Sequence, residues 1–127
     1  MAPLDAVRVL VVEDAKDIRD VFTLLLGAEG AEVTAAATGR EAVELAMQRD
    51  FDVLLTDLGL PDIPGDAVIR SVLATARRRP WIVVVTGYGE SFAARARRAG
   101  ADVIFTKPVN WTLLLNGLVP ARARRAA

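Results

Sequence analysis

Five short apolar runs alternate with five amphipathic segments along this chain, and no linker interrupts the alternation. The apolar runs predict strands over 7–12, 32–36, 52–56, 81–85 and 102–105. Most are apolar at successive positions, which suits strands of a parallel sheet covered on both faces. Between them the period lengthens to that of a helix. Ile18, Val21, Phe22 and Leu25 mark the first helix, with Asp14 placed to cap it and Gly27 and Gly30 to end it. Thr38 caps a second helix that turns Val43, Ala46 and Met47 inward. The stretch LGLPDIPGD must be a loop, after which Ile69, Val72, Leu73 and Ala76 mark a third helix. Helices over 91–99 and 111–119 follow; Asn110 caps the last, Pro120 stops it, and 120–127 is left as a flexible basic end. With right-handed crossovers, these units predict one α/β domain over 1–127: a flavodoxin-like, doubly wound, five-stranded parallel sheet in the order 2-1-3-4-5 with five helices.

In such a sheet the strand ends converge on one edge, and the residues found there carry chemistry. Glu13 and Asp14 follow strand 1, Asp57 follows strand 3 and Lys107 follows strand 5. Three crowded carboxylates repel one another unless a divalent cation and an ammonium neutralise them. Mg²⁺ (or Mn²⁺) takes oxygen ligands and keeps several waters, so Asp14 and Asp57 directly, Glu13 largely through water and a backbone carbonyl at Gly59 suffice to hold it. Asp57 then keeps one oxygen to attack phosphorus in line, and Lys107 and the metal stabilise the resulting aspartyl phosphate. Thr86 offers a hydroxyl to the phosphoryl oxygens, and Gly87 leaves its backbone open to close approach. No general base is needed, because a loose phosphoryl-transfer transition state asks mainly for positioning and charge.

Composition narrows the partners. The chain is 53% hydrophobic and 25% charged, which excludes a disordered segment, and no apolar run approaches the length of a bilayer span. It has no cysteine and no signal-like N-terminal pattern, so a cytoplasmic location is expected. It also has no histidine, so any phosphoryl group must come from another molecule. Charge is unevenly spread: residues 1–66 hold 14 acids and 5 bases, residues 67–127 hold 2 acids and 11 bases. Either the arginines line solvated helix faces, or Arg77, Arg78, Arg79, Arg95, Arg97, Arg98, Arg122, Arg124 and Arg125 build a basic docking face. Nucleic-acid binding is not expected, since no recognition motif or interleaved aromatics accompany them.

The acidic pair in VLVVED, Asp57 in DVLLTDLGLPDIPG, the Thr of VVVTGYG and the Lys-Pro of GADVIFTKPV stand in an order, spacing and strand-end context that resembles the receiver domain of two-component response regulators, over residues 8–119. The resemblance implies phosphotransfer to Asp57 from a histidine kinase or a histidine phosphotransfer protein, with Mg²⁺ required. It implies a signalling domain, not an enzyme, although one that assists its own phosphorylation and dephosphorylation. It also implies a cis Lys107–Pro108 peptide and a shift of Thr86 and of the helix 4–strand 5–helix 5 face on phosphorylation. Tyr88, Arg95, Ile104 and Trp111 are the candidate partner or homodimer contacts on that face.

Three positions depart from the pattern. Ile104 stands three residues before Lys107, where many receivers place a Tyr or Phe that changes rotamer; Phe105 does not replace it, because neighbouring strand residues face opposite ways. Glu13 stands for the more frequent Asp, one methylene longer with the same charge. Gly59 puts no side chain over the site, which leaves an acyl phosphate open to water. A metal-dependent aspartyl-phosphate hydrolase of small molecules is the alternative, but Gly59 holds the place of its second acid and no cap insertion encloses a substrate. A pseudo-receiver that serves only as an interaction module is a third reading. The output is left open between a single-domain regulator and the receiver of a hybrid sensor kinase.

Overall fold

The computed structural model describes residues 2–87 and 89–126. It runs β1 (Arg8–Val12), α1 (Lys16–Ala28), β2 (Glu32–Ala36), α2 (Gly39–Gln48), β3 (Val53–Thr56), α3 (Gly65–Thr75), β4 (Trp81–Thr86), α4 (Glu90–Ala99), β5 (Val103–Thr106) and α5 (Trp111–Ala126). The five strands form one parallel sheet in the order β2-β1-β3-β4-β5, as the alternation predicts. Its register sets Val11 beside Leu55 and Leu55 beside Val83, so like positions stack across the sheet.

The pleat divides the core in two. Val9, Val11, Val53, Leu55, Val83 and Val85 face α1 and α5, where they meet Phe22, Leu26, Leu114 and Leu118. Leu10, Val12, Leu54, Ile82 and Val84 face the other way onto Val68, Ile69 and Val72 of α3, with Ala42 of α2 and Ala96 of α4. Each fully buried Leu or Ile here contributes roughly 1.5–3 kcal/mol against the unfolded chain, an upper bound because unfolded chains are already partly compact. Ile104 packs in the second layer and Phe105 in the first, so the two adjacent side chains do lie on opposite faces.

Several local expectations are corrected. Helix α1 begins at Lys16 with Ala15 at its cap, one residue too late for Asp14 to serve, and Asp14 is left exposed. The inward residues of α1 are Phe22 and Leu26, whereas Ile18 and Val21 stand 40% and 51% exposed. Met47 of α2 also points outward, at 66%, and Ala42 takes the core position. Thr38 does cap α2, accepting from Glu41 N–H at 3.2 Å, and Asn110 caps α5, accepting from Leu113 N–H at 3.0 Å.

Pro120 does not stop the last helix. It lies inside α5, which continues to Ala126, so the basic stretch from 120 forms its final turns. A proline removes one helical N–H and disturbs the turn before it. The carbonyl that loses its helical donor is that of Asn116; next to it the Trp81 indole N–H donates to the Gly117 carbonyl at 2.9 Å and anchors the helix, and buried Leu118 and Ala121 hold both sides of the proline against the sheet.

Candidate functional site

Ladder hydrogen bonds carry each site residue just past its strand. Glu13 N–H donates to Ala36 O at 3.1 Å, Asp57 N–H to Val12 O at 3.3 Å and Lys107 N–H to Thr86 O at 2.8 Å. Parallel strands in this order therefore deliver Glu13, Asp57, Thr86 and Lys107 to one edge beside the point where strand order reverses. The Lys107–Pro108 peptide is cis.

The centre of the site is an ion triad. Lys107 Nζ lies 2.7 Å from Asp57 Oδ2 and 3.3 Å from Glu13 Oε1. Asp57 Oδ1 accepts from the Gly59 N–H at 3.1 Å, and Glu13 Oε2 accepts from the Ala15 N–H at 3.2 Å. The extra methylene of Glu13 thus reaches the lysine with one oxygen and the start of α1 with the other. Thr86 is fully buried at the end of β4. Burial pushes the Glu13 carboxyl up from its ordinary value, and neighbouring Asp14 pushes it the same way, against the pull of Ala15 N–H and Lys107. Lys107 loses some affinity for its proton through burial but gains more from Asp57 and Glu13, so its value is raised and it stays charged.

Among the described residues no three carboxylates stand close enough together to enclose a cation. The ammonium lies within reach of both Glu13 and Asp57, and Asp14 is exposed beside Glu13. The donors are nonetheless all hard oxygens, and Mg²⁺ needs only one or two carboxylates beside its waters.

The LGLPDIPGD stretch, expected to be loop throughout, ends early, because α3 begins at Gly65 and takes in Asp66. Asp66, buried in the first turn of α3, receives Arg95 of α4 at 2.7 Å and Arg70 at 3.4 Å. Arg95 also lies over the Phe92 ring, 4.9 Å from its centroid. So Arg95, a candidate partner contact, is committed to an internal pair. Arg79 and Arg77 likewise pair with Asp102 at 2.8 Å and Asp50 at 3.8 Å, which weakens the idea of one uncommitted basic face. Trp111 is half-buried against the α1–α5 layer, and Tyr88 lies outside the described residues.

Arg95 holds the Asp66 carboxyl below its ordinary range. A depressed acid stabilises the fold fully above its unfolded value, about 3.9, and the contribution is lost as pH falls through the lower folded value. Arg95→Gln is therefore expected to melt below wild type at pH 7, with the gap closing under acid conditions. An equal gap at neutral and strongly acid pH would show that the pair contributes nothing.

One feature beside the triad left no signal in the sequence period. An apolar groove of about 410 Å³ opens next to Lys107, lined by Ile18, Val21, Phe22, Val85, Pro108 and Val109. The side chains of α1 that miss the core form one of its walls.

Residues 9–118 match the family model for the response regulator receiver domain. The chain belongs to this family. A receiver domain of this family acts in two-component signalling. The chain is 34% identical over 104 residues to the response regulator protein PilR of Pseudomonas aeruginosa, a match covering 81% of this chain and 23% of that protein. It is 33% identical over 101 residues to the cell cycle response regulator CtrA of Brucella ovis, covering 80% and 44%. This receiver domain thus spans less than half the length of these curated relatives. Among solved structures, a CheY-like receiver domain protein from Methanospirillum hungatei superposes with a TM-score of 0.87 at 30% identity, covering 95% of this chain and 99% of that one. A response regulator from Burkholderia pseudomallei, solved with a phosphorylated aspartic acid, calcium ion and citrate, matches with a TM-score of 0.82 at 28% identity over 94% and 71%. No helix among the described residues of the receiver domain is long and apolar enough to cross a membrane.

Proposed function

We propose that Asp57 accepts a phosphoryl group from a phosphohistidine on a kinase or phosphotransfer protein, in the cytoplasm, and that the domain signals through its α4–β5–α5 face. The observation that carries this reading is the 2.7 Å contact of Lys107 Nζ with Asp57 Oδ2 at the reversal point of the sheet. A carboxylate oxygen of Asp57 attacks phosphorus, the new P–O bond forms as the P–N bond breaks, and the electron pair leaves with the imidazole. Lys107 follows the charge onto the phosphoryl oxygens, and the Gly59 N–H keeps the other Asp57 oxygen oriented. Asp14 and Asp57, with Glu13 through water and the Gly59 carbonyl, would hold Mg²⁺ or Mn²⁺. Bound there, the cation supplies charge neutralisation between the acceptor and the incoming phosphoryl group.

Thr86 is the residue we assign to sensing the phosphoryl group through its hydroxyl. Ile104, in the layer with α4, is an aliphatic relay that has no ring to swing. The apolar groove at Lys107 suits the donor, because the donor's histidine must approach the same edge. Leu113, 57% exposed on α5, is the apolar residue we place in a homodimer or output contact on the signalling face, alongside Trp111.

Incubation with acetyl phosphate or a phosphorylated kinase in Mg²⁺, followed by intact-mass measurement, is expected to add one phosphoryl group to wild type and none to Asp57→Asn. The variant should remain folded, since Glu13 keeps Lys107 paired. Stoichiometric labelling of Asp57→Asn would move the acceptor elsewhere.

A further inference from the structure

We infer that Asp62 is a positioning residue for phosphoryl transfer: it ties the loop carrying Asp57 and Gly59 to the start of α2, an assignment that rests on the phosphoacceptor reading above. The loop leaves β3 at Asp57 and enters α3 at Gly65, and it contains Pro61 and Pro64, which have no N–H to give. Its backbone is held at the start by Asp57 N–H on Val12 O at 3.3 Å and at the end by Gly65 N–H on Leu58 O at 2.9 Å. Between these points the Asp62 side chain provides the tether. Its Oδ1 accepts from Gly39 N–H at 2.9 Å and its Oδ2 from Arg40 N–H at 2.8 Å.

Burial opposes the charged carboxylate, but the N–H groups of Arg40, Gly39, Ile63 and Asp62 itself together outweigh it and keep the group below its ordinary range. Packing reinforces the tie. At Gly39 an added Cβ would fall 2.5 Å from Ile63 Cγ1 and 2.8 Å from Val68 Cγ2, so the loop and the start of α2 are in tight contact.

The tether is more than a helix cap. Thr38 already caps α2 through Glu41 N–H, and Asp62 takes the two preceding N–H groups from a separate segment of chain. What Asp62 adds is the placement of the loop. Three residues before it, Gly59 donates to Asp57 Oδ1, so the path of the loop sets the rotamer of the acceptor. A displacement of about 1 Å at a reacting group can cost 100-fold in rate, and a loosened loop some part of that.

The test compares wild type, Asp62→Ala, Asp62→Asn and Thr38→Ala. The first readout is hydrogen exchange at the Gly59 amide without metal or phosphodonor; the second is the rate of phosphorylation by acetyl phosphate. Asp62→Ala is expected to speed exchange at Gly59 and to slow phosphorylation about tenfold. Asp62→Asn, which keeps one acceptor oxygen, should fall between. Thr38→Ala should lower stability while leaving both readouts within about twofold of wild type, because it weakens α2 without releasing the loop. If Asp62→Ala and Thr38→Ala behave alike in both readouts, Asp62 is a cap and the inference fails. If wild type itself takes no label, the phosphoacceptor reading fails first, and the exchange experiment still reports whether Asp62 orders the loop.

Discussion

Gly65→Ala is expected to cost about 3 kcal/mol of stability and to remove phosphorylation of Asp57 at the same time. Gly65 is the first residue of α3 and is buried against the backbone of Asp57 and Leu58. A methyl group there would sit 2.7 Å from Leu58 Cα and 2.9 Å from the Asp57 carbonyl carbon, and inside contact distance of the Asp57 carbonyl oxygen. Those are backbone atoms, so no side chain can swing aside to relieve the overlap. The strand end or the helix start must move, and the Gly65 N–H bond to Leu58 O at 2.9 Å goes with it.

The requirement is for space and not for an unusual backbone angle, since Gly30 and Gly100 are the described glycines with positive φ. Gly27 of α1 provides the control: nothing lies within 4 Å of its Cβ position, and Ala there should leave labelling unchanged. Urea denaturation measures the first effect and intact-mass labelling the second. A Gly65→Ala protein of wild-type stability that still labels would mean that the β3–α3 junction yields more easily than its contacts suggest.

The sheet was legible because burial on both faces leaves its mark as runs of apolar residues, and the alternation with helical segments then permits few topologies. The helix faces were harder to read for the same kind of reason. In α1, Ile18, Val21, Phe22, Leu24, Leu25 and Leu26 surround the axis, so the period alone does not choose between them. The sheet takes Phe22 and Leu26 and leaves Ile18 and Val21 to line the groove beside Lys107. Local rules failed where tertiary packing overrode a local preference. Pro120 reads as a stop, yet α5 runs through it with Leu118 and Ala121 buried on either side.

At the site, residue identity at strand ends pointed to Glu13, Asp57, Thr86 and Lys107, which the fold carries to one edge. The support of that edge was illegible. Asp62 and Asp66 look like ordinary loop acids in PDIPGD, and only the packing of α2 and α4 against the loop makes one a tether and the other a partner for Arg95.

The second large effect is at Lys107, where Lys107→Ala should slow phosphorylation of Asp57 by about 100-fold or more while costing only about 1–2 kcal/mol of stability. Removing one member of a fully buried pair leaves an uncompensated charge and typically costs about 3–5 kcal/mol. The Lys107 side chain is 31% exposed, however, so water screens part of the loss. Glu13 limits it further: burial already raises its proton affinity, and losing the ammonium, which lowers that affinity, moves it further in the same direction and eases the repulsion with Asp57. No such substitute exists in the reaction. On the proposed mechanism the charge that develops on the phosphoryl oxygens is shared between the divalent cation and the Lys107 ammonium, and neither Glu13 nor water replaces the ammonium. Lys107→Arg separates charge from shape, since it keeps the charge but replaces a compact ammonium by a planar fork, and it should recover only part of the rate. Initial rates with a phosphorylated donor, set beside denaturation midpoints for both variants, decide the matter. A Lys107→Ala protein that labels within threefold of wild type would reduce the lysine to a structural counter-ion.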